Sequence, residues 1–145
     1  MNKHLFNFNK TAKEALIQLN LLASDSIIFV VDDENNLIGS LTDGDIRRGL
    51  INNLSIDEKV VRFIQKNPKF LRKGAFDINH LIELRNKNFR IIPILDKNSD
   101  KIIRILNFRK IKSYLPIDVM IMAGGKGERL KPLTISTPKP LIKVG

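Results

Sequence analysis

The 145-residue sequence has no cysteine, no tryptophan, one tyrosine and only two histidines, His4 and His80. Without thiols there is no disulfide, no cysteine nucleophile and no thiolate-bound zinc. Two histidines argue against a multi-histidine metal centre, so no metal ligand is assigned. Long apolar runs are also missing. None approaches the roughly 20 residues that a membrane-spanning helix needs. The opening MNKHLFNFNK lacks the apolar core of a secretory signal. The expectation is no membrane association and a cytoplasmic location.

Charge of one sign is in short supply. Fifteen acidic residues face 25 basic ones, a formal net charge of +10. That favours anionic partners: nucleotides, sugar phosphates or nucleic acid. The densest basic window, Lys101–Lys112, holds five basic residues and no acid. Aromatics able to stack on bases are sparse beside it, with only Phe108 and Tyr114 nearby. This window therefore reads as a solvated face, and nucleic acid is not expected as a partner. What remains, 43% hydrophobic and 28% charged residues, is the composition of a folded globular chain.

Two segments of this chain repeat one pattern. Thr11-AKEALIQLN, SIIFVVDDENN and LIGSLTDGDIRRGL are answered by Asp77-INHLIELRN, FRIIPILDKNSDK and IIRILNFRKIKSYL. The helical parts are offset by 65 residues and the strands ending in Asp32 and Asp96 by 64. Thr11 with Glu14 three residues on is a capping box, and Asp77 is the equivalent cap. Ala12, Ala15, Leu16 and Leu19 fall on one helical face, as do Ile78, Leu81 and Ile82. Apolar strands Ile27–Val31 and Ile91–Leu95 follow. Polar turns then lead to return strands Leu37–Leu41 and Ile102–Leu106. A second helix starts near Asp43 or Asn107. Short extended pieces, Leu5–Phe8 and Lys69–Leu71, precede the copies. Pro93 within IIPILD is expected at an edge or strand start. Neither copy is a comfortable domain alone, so two sheets packed face to face are expected.

From Pro116 the composition changes, and four of the six prolines lie in the last 30 residues. Ile117–Ala123 is a continuous apolar run suited to a buried strand, and it leads into a glycine loop. One strand cannot bury both its faces, so this segment is expected to open a second domain whose remainder is absent.

The VVDDENNLIGSLTDGDIRRGL stretch, with the more degenerate IIPILD copy, resembles the CBS-domain pair, or Bateman module, over residues 1–115. Repeat 1 covers about 1–58 and repeat 2 about 59–115. The resemblance implies an adenine nucleotide (AMP, ADP or ATP-like) held between the copies, regulating an attached enzyme. It places Thr42 on the phosphate and Asp45 on the ribose hydroxyls. The residues fit those roles, because unpaired amides at a helix N-terminus attract anions and a carboxylate accepts from both hydroxyls. Their alternative role is to cap the following helix. Arg47, with Arg48 beside it, is a further phosphate candidate, although either could be solvated. In the second copy the matching residues are Asn107 and Lys110. Lysine cannot accept a hydrogen bond, so at most one good nucleoside site per chain is expected. The family's flat dimers imply a homodimer with an isologous interface.

MIMAGGKGERLKPLTISTPKPLIKVG resembles the N-terminal signature of nucleotide-sugar pyrophosphorylases, which join a nucleoside triphosphate to a sugar 1-phosphate and release pyrophosphate. Gly124, Gly125, Lys126 and Gly127 match its phosphate loop, where glycines let amides approach the triphosphate. Arg129 and Lys139 match its catalytic phosphate contacts. Glu128 stands where a threonine is common. The family's Mg2+ is held by acidic residues beyond this segment, and Asp118 is a poor substitute, so Mg2+ is expected only for a full-length enzyme.

The expected fold is α/β (α+β). Tandem CBS repeats with pseudo-twofold symmetry precede the first strand and glycine loop of a truncated, Rossmann-like nucleotidyltransferase domain at 116–145. The expected function is a nucleotide-sensing regulatory pair of a sugar-1-phosphate nucleotidyltransferase, with this chain catalytically incomplete. The alternatives are a stand-alone adenine-nucleotide sensor and a dimerisation scaffold.

Overall fold

Thr11 starts the first helix as its spacing to Glu14 predicts. Its amide and hydroxyl donate to the Glu14 carboxylate at 2.9 and 3.1 Å, and the Glu14 amide donates back to the hydroxyl at 3.3 Å. The computed structural model describes residues 3–75, 77–110, 128–132, 135–137 and 141. The chain divides into two compact units, Met1–Tyr114 and Leu115–Gly145.

In the first unit, β1 (Leu5–Asn7), α1 (Ala12–Leu22), β2 (Ile28–Val31), β3 (Leu37–Leu41) and α2 (Asp43–Ile51) form copy one. Copy two contains β4 (Leu71–Arg72), α3 (Ile78–Asn86), β5 (Ile91–Leu95) and β6 (Ile102–Asn107). Each copy has a three-stranded sheet, ordered β1-β2-β3 and β4-β5-β6. The first pair is parallel and the second antiparallel in both. The repeat extends to irregularities. The strand register slips between Val30 and Val31 and again between Ile94 and Leu95. Both first helices are followed by a left-handed residue, Ala23 at φ 51° and Asn88 at φ 61°.

Period-two alternation decides what each strand face covers. Ile28 and Val30 turn to the helices of copy one, packing with Ala12, Ala15, Leu19, Leu22 and Ile46. Phe29 and Val31 turn the other way and meet Ile91, Leu95 and Ile102 of copy two. Ile92 packs on Leu84 of α3. The sheets therefore pack face to face. The hairpin turns are stitched reciprocally: the Leu37 amide donates to Asp100 O (2.9 Å) and the Ile102 amide to Asn35 O (3.0 Å). Each bond is the other's counterpart under the repeat, as a twofold axis between the copies requires.

Two expectations shift in copy two. Asp77 caps α3 through the His80 amide at 2.9 Å, but Leu84 is the residue α3 buries fully. Ile82 is exposed, because it lies about 100° round the helix from Leu81. Pro93 sits inside β5, opposite Ile105, in the central strand of its sheet. It is tolerated there for a local reason. Leu95 O accepts from the Lys73 amide, so the odd-numbered residues of β5 turn their backbone groups towards β4. The β4 pairing begins only at Ile94, so nothing in that ladder needs a donor from Pro93.

The connecting segment, 52–70, runs back along copy one and gives Val60 and Phe63 to its core. Gln65 pairs with Ser40 of β3 through both backbone groups, at 2.9 and 3.0 Å. That approach depends on Gly39, where a Cβ would lie 2.6 Å from Gln65 O. In the second unit Glu128–Leu130 forms one 3-10 turn, and Lys131 Nζ lies 2.6 Å from Glu128 Oε2. The strand expected at 117–123 and the body of the helix expected after Asn107 lie outside the described residues. Among the described residues no helix is long and apolar enough to cross a membrane.

Candidate functional site

Thr42 follows β3 in an extended conformation and is the N-cap of α2. Asp45 is the third residue of that helix, so its side chain points back at the cap. Its Oδ2 accepts from the Thr42 amide at 2.8 Å and from the Thr42 hydroxyl at 2.7 Å. Its Oδ1 accepts from Arg48 Nη2 at 2.6 Å and from Gln65 Nε2 at 3.3 Å. The residue is 5% exposed. Burial pushes its carboxyl up, but the hydrogen bonds from Thr42, Arg48 and Gln65 outweigh it and hold the group below its ordinary 3.8. A buried, ionised carboxylate thus stands at the N-terminus of α2, where copy one meets the connecting segment.

The two arginines separate. Arg48 folds back over the first turn of α2, with Nη1 3.4 Å from where a Cβ on Gly44 would be. Arg47 lies in another groove of about 480 Å³ between α1 and α2, with Leu16, Asn20, Asp43, Ile46 and Leu50. The structure brings Thr42 and Asp45 together, adds Arg48, and places Arg47 apart. The i,i+3 spacing of Asp45 and Arg48 carries that signal in the sequence. Gln65, 20 residues away, carries none.

Two further cavities lie where the copies adjoin. One, of about 330 Å³, is lined by Ser24–Ile27 and Asn88–Ile91, the equivalent helix-to-strand connections of the two copies. It presents Arg90, which the sequence reading did not single out. The other, of about 530 Å³, is lined by Leu37, Lys66–Phe70, His80, Leu95 and Asp100. Lys66 follows Gln65 directly, so the segment that touches Asp45 continues along this cavity. It offers an exposed phenyl ring and two ammonium groups.

The second copy is arranged differently. Asn107 Nδ2 donates to Asp25 Oδ2 at 2.9 Å, and Arg109 Nη1 lies 3.6 Å from Asp25 Oδ1. A carboxylate from copy one thus already occupies the polar groups that match Thr42 and its neighbours. Lys110 is exposed. Arg129 lies on the exposed 3-10 turn of the second unit. Gly124, Gly125, Lys126, Gly127 and Lys139 lie outside the described residues. Among the described residues no group of three or more His, Asp or Glu side chains is clustered as metal ligands.

Comparison with known proteins bears on this arrangement. Residues 7–52 match the CBS domain model, and residues 118–145 match the Nucleotidyl transferase model. An uncharacterized protein of Helicobacter pylori strain J99 is 31% identical over 100 residues, 68% of this chain and 30% of that protein. The chain thus spans less than a third of that relative's length. Among solved structures, the cystathionine beta-synthase pair domain of a putative Mg2+ transporter from Shewanella oneidensis superposes with TM-score 0.60 at 14% identity. That match covers 72% of this chain and 59% of the other. A CBS domain protein from Pyrobaculum aerophilum, complexed with AMP, superposes with TM-score 0.54 at 16% identity, covering 72% and 79%. Residues 7–52 are a CBS domain, and the first unit of the chain, with its duplicated and face-packed sheets, has the fold of a CBS pair.

Proposed function

We propose that the first unit is a nucleotide-sensing regulatory module with one adenine-nucleotide site at Thr42 and Asp45. The observation that carries this reading is the Asp45 carboxylate, buried and ionised where copy one meets the connecting segment. Most buried carboxylates are costly unless paired, and this one keeps its charge beside a helix N-terminus and an arginine. A ribose diol donates two hydroxyl hydrogens, the complement of such a group. Arg48 and Arg90 supply guanidinium forks for phosphate. The AMP complex of the Pyrobaculum aerophilum protein supports the ligand class. In copy two the Asp25–Asn107–Arg109 cluster takes the matching place, which favours one site over two.

The attached activity in this reading is a sugar-1-phosphate nucleotidyltransferase, making a nucleoside diphosphate sugar and pyrophosphate. The match of residues 118–145 supports it. Arg129, Lys139 and the 124–127 loop are its proposed phosphate contacts. The module also forms a homodimer. Leu21 of α1 and Ile51 of α2 are 77% and 73% exposed, and Ile17 and Leu50 beside them are exposed as well. Apolar side chains grouped on two helices of one copy need a cover, and a second copy of the same face is the proposed one.

Thermal unfolding with and without AMP, ADP and ATP tests the ligand assignment. A ligand at a hundredfold excess over its Kd stabilises by about 2.7 kcal/mol, which is a rise of several degrees. No rise with any of the three removes the nucleotide reading. Nucleotide binding without an attached activity would leave the stand-alone sensor, and dimerisation without nucleotide binding would leave the scaffold.

A further inference from the structure

The amide of Gln65 and the guanidinium of Arg48 both occupy Asp45 Oδ1, at 3.3 and 2.6 Å. Thr42 occupies Oδ2 twice. Every acceptor direction that a ribose diol would use is therefore taken by a protein donor. Arg48 is attached to the same helix as Asp45 and can turn to a phosphate without disturbing the fold. Gln65 belongs to the segment that joins the copies, and its backbone is zipped to Ser40 by two hydrogen bonds. The segment continues as Lys66–Phe70 along the 530 Å³ cavity and enters β4.

We infer that Gln65 is a latch: its side chain holds the connecting segment on Asp45, and a ligand diol must displace it to bind. This rests on the nucleotide reading and adds a route from the site to the segment between the copies. Binding at Asp45 frees the Gln65 amide and loosens the Ser40–Gln65 pairing, so the start of copy two moves with occupancy. A ligand without a diol has no means of lifting the latch. The coupling is thermodynamic: the ligand favours the open segment by the free energy of the bond it replaces. The same bond lowers affinity for the ligand, so removing it must tighten binding. A merely structural role for Gln65 would give the opposite sign.

The test is calorimetric titration of AMP into the wild-type chain and Gln65→Ala, together with hydrogen exchange of the Ser40 and Gln65 amides with and without AMP. Losing one net hydrogen bond predicts binding about three- to tenfold tighter in Gln65→Ala. AMP should speed exchange of both amides in the wild-type chain. AMP binding to Gln65→Ala with equal or lower affinity overturns the latch and leaves the nucleotide reading standing, whatever the exchange shows. Tighter binding without faster exchange in the wild-type chain overturns the coupling to the segment. No binding to either chain overturns both readings. Because Gln65 is exposed, the variant is expected to fold, and the exchange measurement needs only the wild-type protein.

Discussion

Asp45 holds four hydrogen bonds on one buried carboxylate, and its value to the fold follows from its titration. Its folded-state carboxyl is held below 3.8, so the unfolded chain takes up the proton first as pH falls. The stabilisation is complete above the unfolded value and disappears as pH drops through the folded one. Asp45→Asn should cost about 1–3 kcal/mol at neutral pH, with the deficit steady above about pH 5 and shrinking below about pH 4. Urea unfolding of both chains across that range measures it. A deficit that grows towards low pH would show that the carboxylate is not the charged, bonded group described. The Thr-x-x-Asp spacing made Thr42 and Asp45 legible in the sequence, because a carboxylate at the third helical position reaches back to its cap. The choice between Arg47 and Arg48 was open, since adjacent residues point about 100° apart and only packing decides which way α2 is turned. Gln65 was invisible: its contact depends on a glycine at 39 that lets two distant backbones close up.

At the scale of elements, the duplicated caps and strands were legible because each is a local rule, side chain to backbone or face to face. Where tertiary packing decides, local pattern and structure differ. The inward stripe of α3 runs through Ile78, Leu81 and Leu84 and leaves Ile82 exposed. Pro93, expected at an edge or strand start, lies in the central strand, tolerated where β4 has not yet begun. One helix end carries strain. Ala23 follows α1 at φ 51°, ψ −119°, a region that suits glycine and penalises a Cβ. Asn88, its counterpart, is a residue better tolerated at positive φ. Ala23→Gly should therefore stabilise the chain by about 1 kcal/mol, read as a rise in Tm of a few degrees. A fall in Tm would mean that the α1–β2 connection is not held in that conformation.

For the whole molecule, the two sheets of the first unit bury Phe29, Val31, Ile91, Leu95 and Ile102 between them, which neither copy could do alone. Two-sided apolar strands signalled that arrangement in the sequence. Charge reversal between the copies was only partly legible. Asn107 and Lys110 marked the second site as altered, but its filling by Asp25 needs a contact across 82 residues. On the outer face, Leu21→Glu and Ile51→Glu should each turn a dimer into a monomer in sedimentation velocity without loss of Tm beyond that due to dissociation. A wild-type chain that sediments as a monomer at micromolar concentration would contradict the proposed interface.

The central claim is a single ribose-gripping carboxylate per chain, and calorimetric stoichiometry tests it most directly. AMP titrated into the wild-type chain should give one site per chain. Asp45→Asn should weaken it at least tenfold, in line with about 1.5–3 kcal/mol for a hydrogen bond to a charged group. Two equivalent sites, or an affinity that does not change in Asp45→Asn, would contradict it.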